Sequence, residues 1–233
     1  MQKQKLEEKV VVITGATGGL GTAVTAAFLD AGAKVAAVDR MASSKEAAEN
    51  YVAIAADLET EAGAKNVAWS VIEQWGRIDV LVQLVGGFAG GKSVLDSDDA
   101  AFDQMMNVNV RTSFHMFRAV LPLMRAQGAG RILAIGARAA AEPSPMSGLY
   151  AASKAALVSL IRSVAAENAD HKITANVILP GTMDTPGNRA AMPKADFTQW
   201  VPTSEVASML VHLAGDDASA VNGAVIPIYG TGA

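Results

Sequence analysis

Lys9-Val10-Val11-Val12-Ile13-Thr14 runs directly into Gly15-Ala16-Thr17-Gly18-Gly19-Leu20-Gly21, and this junction carries the architecture of the chain. Apolar side chains on consecutive residues mark a strand buried on both faces, as in a parallel sheet with helices on either side. Gly15, Gly19 and Gly21 stand as G-x-x-x-G-x-G, the spacing of a tight turn that opens a helix. Such a turn lets backbone approach a pyrophosphate closely, while the helix offers free N–H groups and the positive end of its dipole.

Outward from the junction, strands and helices alternate. Further strands are expected over 34–39, 51–56, 79–85, 131–135, 173–179 and 223–228. Helices are expected over 22–31 (closed by Gly32), 62–75 (ended by Gly76), 101–127 (bent near Pro122), 149–169 and 204–214. This predicts an α/β protein: one Rossmann-type doubly wound parallel sheet of about seven strands, with helices on both faces. No linker divides the chain, so 1–233 reads as a single NAD(P)-binding domain. The irregular stretch 180–202, with Pro186 and Pro193 inside it, is expected to be a substrate flap.

Composition narrows the function. Of 233 residues 51% are hydrophobic and 18% charged, enough for a full core and against extended disorder. There is no cysteine, which excludes disulfides and thiolate chemistry, and His115, His171 and His212 lack metal-ligand spacing, so no metal is expected. A net charge of -4 without a block of like charges argues against nucleic-acid binding. No apolar run approaches the roughly 18 residues of a bilayer span, so no membrane partner is expected. Met1-Gln2-Lys3-Gln4-Lys5 lacks the apolar core of a signal peptide, and the expected location is the cytoplasm.

Two constellations carry chemistry. In the first, the backbone of Gly15, Thr17, Gly18, Gly19, Leu20 and Gly21 forms the dinucleotide cradle, with Asp39 at the end of the second strand. A carboxylate there accepts from both adenosine-ribose hydroxyls and repels a 2′-phosphate, so NAD(H) is favoured. Arg40 next to it could pair with that phosphate, and NADP(H) stays open. In the second, Tyr150 and Lys154 stand four residues apart on one helix face, a proton donor with a cation beside it. The ammonium is expected to pull the phenol below its ordinary pKa of about 10.

With these residues in view, the chain resembles the short-chain dehydrogenase/reductase family over essentially its whole length. The matching segments are Thr14 to Gly21, Asp57-Leu58, Asn109, Tyr150 with Lys154, and Pro180-Gly181 leading to Thr185. The resemblance implies that Asp57 and Leu58 frame the adenine and that Val85, Gly86 and Gly87 lie against the cofactor. It implies that Pro180, Gly181, Met183 and Thr185 hold the nicotinamide end. It also makes Tyr150 the catalytic acid/base, Lys154 its partner and a ribose ligand, and Asn109 a support for the proton path through water. A small-molecule substrate and a homodimer or homotetramer built through the long helices are implied as well.

Two departures from the family pattern matter. Gln83-Leu84-Val85-Gly86 replaces the usual Asn-Asn-Ala-Gly, and the substrate-holding serine is replaced by Ala137. Ser144 or Ser147 could reach in from the loop, or simply satisfy its turn. Within the family, the quinonoid dihydropteridine reductases are similar in lacking that serine. They also resemble the chain at 86–91, at 136–140, at Asp184-Thr185-Pro186 with Asn188-Arg189, and at 192–197 with Trp200. Phe88 and Trp200 could stack on a flat heterocycle or pack the flap. The expected reaction is hydride transfer to a quinonoid dihydropterin or similar conjugated acceptor, with Tyr150 as proton donor. The rivals are an alcohol or ketone dehydrogenase of the same family and a catalytically idle cofactor-binding protein.

Overall fold

The computed structural model describes residues 6–41 and 47–230; the first five residues, on which the leader expectation rests, lie outside this range. The strands are β1 (Val10–Thr14), β2 (Lys34–Asp39), β3 (Tyr51–Ala55), β4 (Val80–Gln83), β5 (Gly130–Ile135), β6 (Ile173–Pro180), β7 (Met183–Asp184), β8 (Val201–Pro202) and β9 (Val225–Ile228). The helices are α1 (Gly19–Asp30), α2 (Glu61–Trp75), α3 (Asp99–Met106), α4 (Thr112–Gln127), α5 (Gly148–Glu167), α6 (Pro186–Ala191) and α7 (Thr203–Ala214).

Seven strands form one sheet in the order β3-β2-β1-β4-β5-β6-β9, every neighbouring pair parallel. The expected seven-stranded, doubly wound sheet is therefore present. Successive residues of β1 point to opposite faces: Val10 and Val12 enter a core with α2, α4 and α5, and Val11 and Ile13 a core with α1 and α7. That is why the strand is apolar at every position. The chain leaves β1 in one direction along the sheet and returns to β4 on its other side. The crevice for a ligand opens where this order reverses, at the carboxyl ends of β1 and β4.

The structure corrects several expectations. The helix expected over 101–127 is α3 and α4 joined by a π-helical turn, Asn107–Arg111; α4 continues through Pro122. A π turn adds a residue to the helical repeat, and here it carries Asn109 into the interior, fully buried. Stretch 180–202 is structured rather than loop-like: β7 pairs with β8, and between them lie α6 and a short 3-10 turn, Phe197–Gln199. Helix α1 begins at Gly19 instead of Thr22, which brings its N-terminus onto the glycine turn. By length and composition α5 would suit a membrane span, but its Leu157, Ile161 and Val164 are buried against the sheet.

Candidate active site

The cofactor cradle is shaped by what its glycines lack. Gly15 has φ +67°, the left-handed region, and a Cβ there would sit 3.2 Å from the Val85 nitrogen. A Cβ on Gly21 would lie 2.1 Å from the Gly15 carbonyl oxygen, so α1 packs on the turn only with hydrogen at that position. Helix α1 has no side-chain cap and no acidic residue in its first turn. Its first N–H groups are thus left for an anion, and the cradle fits a pyrophosphate.

Thr14 joins the cradle to β4. Its hydroxyl donates to Gln83 Oε1 at 3.0 Å and accepts from the Leu84 and Val85 nitrogens at 3.1 and 3.3 Å. Gln83, one of the departures from the family pattern, is thus a buried partner of the strand that ends in the turn. Asp39 stands beside the turn. Its Oδ2 accepts from the Thr17 nitrogen (3.1 Å) and hydroxyl (2.5 Å), and its Oδ1 from the Arg40 nitrogen (2.8 Å). The Arg40 guanidinium points to Glu59 and pairs with it. Asp57 Oδ1 accepts from the Glu59 nitrogen at 3.0 Å, and the Leu58 carbonyl lies 3.2 Å from His115 Nδ1. Asp39, Arg40, Asp57 and Leu58 therefore share one corner of the sheet edge.

At the other side of the crevice Tyr150 lies in the first turn of α5, with Lys154 one turn further along. The buried Lys154 ammonium donates to the Ile135 carbonyl at 2.9 Å, at the end of β5. Asn109 binds Gly87 in both directions, Oδ1 accepting from its nitrogen and Nδ2 donating to its carbonyl, each at 3.0 Å. Nδ2 also donates to Ser153 Oγ at 3.0 Å, and Ser153 Oγ donates to the Tyr150 carbonyl at 2.8 Å. Asn109 thus clamps the chain after β4 to the tyrosine's own helix turn. A Cβ on Gly86 would sit 2.8 Å from Asn109 Oδ1 and 2.9 Å from Lys154 Nζ, so the absence of a side chain at 86 lets these groups converge.

The charge balance reverses one expectation. Burial lifts the Tyr150 phenol above its ordinary pKa, instead of the lysine drawing it down. Burial also lowers Lys154 to about 8, so the ammonium itself is weakened. Both shifts have the same cause, desolvation by burial.

On the substrate side Ala137 is buried and extended, with a methyl group where the resemblance expects a hydroxyl. Ser147 Oγ donates to the Ser144 carbonyl at 2.7 Å, and the two hydroxyls lie 3.1 Å apart, both engaged in their own turn. Phe88 meets Tyr150 edge to face, ring centroids 4.9 Å apart. Trp200 instead packs on Phe197 at 4.7 Å, and Arg189 covers Phe197 while holding Asp184 through two contacts of 2.6 and 2.7 Å.

The start of α6 rests on the glycine turn. A Cβ on Gly19 would lie 2.9 Å from Thr185 Cβ, and Thr185 Oγ1 caps α6 by accepting from the Asn188 nitrogen at 3.2 Å. Met183 holds the same helix through its carbonyl, and Gly181 donates to the Ile228 carbonyl at 2.8 Å beside Pro180. Residue-by-residue reading missed Glu59, Gln83 as partner of Thr14, and Ser153. Ser153 alone had a local signal, its place three residues after Tyr150 on the helix.

The family model described as short chain dehydrogenase matches residues 9–196. A 2-(R)-hydroxypropyl-CoM dehydrogenase of Xanthobacter autotrophicus is 33% identical, the match covering 95% of this chain and 97% of that protein. Dehydrogenase/reductase SDR family member 6 of Rattus norvegicus is also 33% identical, over 97% of this chain and 98% of its own. Among solved structures, a 3-ketoacyl-(acyl-carrier-protein) reductase from Brucella melitensis complexed with NADH superposes with a TM-score of 0.88. It is 28% identical, with 98% of this chain and all of that chain covered.

Proposed function

The chain belongs to the short-chain dehydrogenase family, and from that premise we propose that this NAD(P)(H)-dependent oxidoreductase uses NADH to reduce a quinonoid dihydropterin or a similar conjugated acceptor. The observation that carries the reading is Ala137 in a site whose tyrosine, lysine and asparagine are all in place, with Ser144 and Ser147 occupied elsewhere. Removing one donor to a developing oxyanion costs about 10²–10³ in rate. A site built without that donor suits an acceptor that takes hydride readily, as a quinonoid ring does.

Bound nicotinamide supplies the hydride. The protein's part is to hold, orient and protonate. The N-terminus of α1 and the glycine turn hold the pyrophosphate, and Asp39 faces the adenosine ribose. Asp39 disfavours a 2′-phosphate, and the Arg40 charge that would invite one is paired with Glu59, which supports NAD(H) over NADP(H). Tyr150 enters as the neutral phenol, its pKa raised by burial, and gives its hydroxyl proton to the acceptor. The acceptor gains one hydride and one proton. Lys154, with its pKa near 8, exchanges protons close to neutrality and supports the phenolate left behind. Asn109 positions the chain after β4 against α5, keeping these groups in register.

A second reading, reduction or oxidation at a ketone or secondary alcohol, is favoured by the names of the hydroxypropyl-CoM dehydrogenase and the ketoacyl reductase. Following NADH absorbance with freshly generated quinonoid dihydropterin, beside a panel of ketones, separates the two. Fast turnover of the pterin with ketones far slower is expected; turnover of ketones alone overturns the proposal. Tyr150→Phe should lower turnover by about 10²–10⁴ while NADH still binds.

A further inference from the structure

We infer that the acceptor carries an apolar extension, aryl or alkyl, which lies on an exposed hydrophobic rim made by Phe88, Val94, Leu95 and Met146 at the mouth of the site. The inference deepens the reading of a conjugated acceptor and rests on it. Phe88 and Val94 are 70% exposed, Leu95 92% and Met146 48%. A lone exposed leucine is ordinary, whereas four large apolar side chains on two abutting loops are a surface that something covers.

The two loops that carry these residues abut. Gly91 donates its N–H to the Met146 carbonyl at 2.8 Å, joining the loop after β4 to the loop before α5. A Cβ on Gly90 would lie 2.6 Å from Phe88 Cζ and 3.2 Å from the Met146 carbonyl oxygen, so these two residues flank Gly90. A Cβ on Gly148 would lie 2.6 Å from Val94 Cγ2, which puts Val94 on the first residue of α5, just ahead of Tyr150. The rim ends on the reacting group itself, because the Phe88 ring stands edge to face against Tyr150.

Two further features fit a ligand surface. Met146 is held at φ +64°, a left-handed backbone that costs a non-glycine residue energy and that tends to be kept where a site needs it. Its unbranched thioether adapts to irregular apolar shapes. The polar side chains of the same loop are turned to one another, Lys92 to Asp98 and Ser93 to Asp96. The occupant is the substrate's own arm, since Phe88, one of these residues, stands against the tyrosine proposed to protonate it.

The binding test uses ligands that cannot turn over. Fluorescence titration of the NAD-saturated protein with the fully oxidised pterins 6-phenylpterin and 6-methylpterin compares the same head with and without an apolar arm. A parallel kcat/KM comparison of phenylacetone with acetone asks the same of a ketone head. The arm should improve binding about tenfold, equivalent to about 1.4 kcal/mol. The double substitution Val94→Ser with Leu95→Ser, on two exposed residues, should erase most of that gain. No preference for the arm in either pair overturns the inference. A preference that survives the double substitution, with altered sedimentation of the variant, also overturns it and assigns the rim to a second copy of the chain. Failure of quinonoid dihydropterin to turn over removes the proposed reaction but leaves the binding comparison standing.

Discussion

The two sides of the crevice are built from different materials. On the side of the glycine turn the tightest contacts are main chain against main chain: Gly15 against Val85 and Gly21 against the Gly15 carbonyl. On the substrate side they are side chain against side chain: Phe88 on Tyr150, Phe197 on Trp200, Arg189 on Asp184. Main-chain contacts admit one residue type, because any Cβ collides with backbone that has nowhere to go. Side-chain contacts admit many types, so one cradle can serve many substrates while the opposite wall changes.

The difference predicts unequal responses to a single added methyl. Gly21→Ala puts a carbon where only 2.1 Å separates it from a carbonyl oxygen. We expect a loss of about 3 kcal/mol or more in urea unfolding, at the upper end of overpacking costs, together with loss of NADH affinity. An unchanged midpoint would break the claim that the cradle is rigid backbone.

Between the two sides stands Lys154, and its effect is read in pH. Its pKa falls from 10.5 to about 8 on folding, so between those values the unfolded chain binds more protons than the folded one. Stability therefore rises as pH is raised from 8 toward 10, and the buried charge is a cost carried in full below pH 8. The rise is on the order of 3 kcal/mol over the whole interval. Tyr150, raised by burial, adds the opposite slope above its ordinary value of 10. Lys154→Met should flatten the rise between pH 8 and 10 in urea titrations. Parallel curves for the two proteins would mean that the ammonium is not desolvated as its place between α5 and β5 implies.

How far each side can be read without coordinates follows from the same contrast. The cradle, Asp39 and the Tyr150–Lys154 pair were legible because turn geometry and helix spacing are local. Arg40 was ambiguous because its partner, Glu59, comes from the exit of a different strand, and the pairing exists only through the order β2–β3. The π turn that buries Asn109 has no local signature in composition, and Pro122 was a misleading cue for where the helix changes. The sign of the tyrosine shift went wrong because charge spacing is visible in a sequence and desolvation is not.

The smallest expected effect is the most discriminating. Ala137→Ser adds one oxygen at a buried, extended position at the end of β5. In a ketone reductase that oxygen would face a developing oxyanion, but the surrounding loop has already committed Ser144 and Ser147 to its own turn and was not shaped around a donor at 137. Only part of the usual 10²–10³ should therefore return, a gain of about tenfold in kcat/KM for ketones. For a quinonoid acceptor, where charge develops over a conjugated ring, the same oxygen should change kcat/KM by about twofold or less, since no single atom carries the charge it would stabilise. A large gain on both classes would mean that the substrate wall is as exacting as the cradle, and that Ala137 is a defect in it instead of a fit to the acceptor.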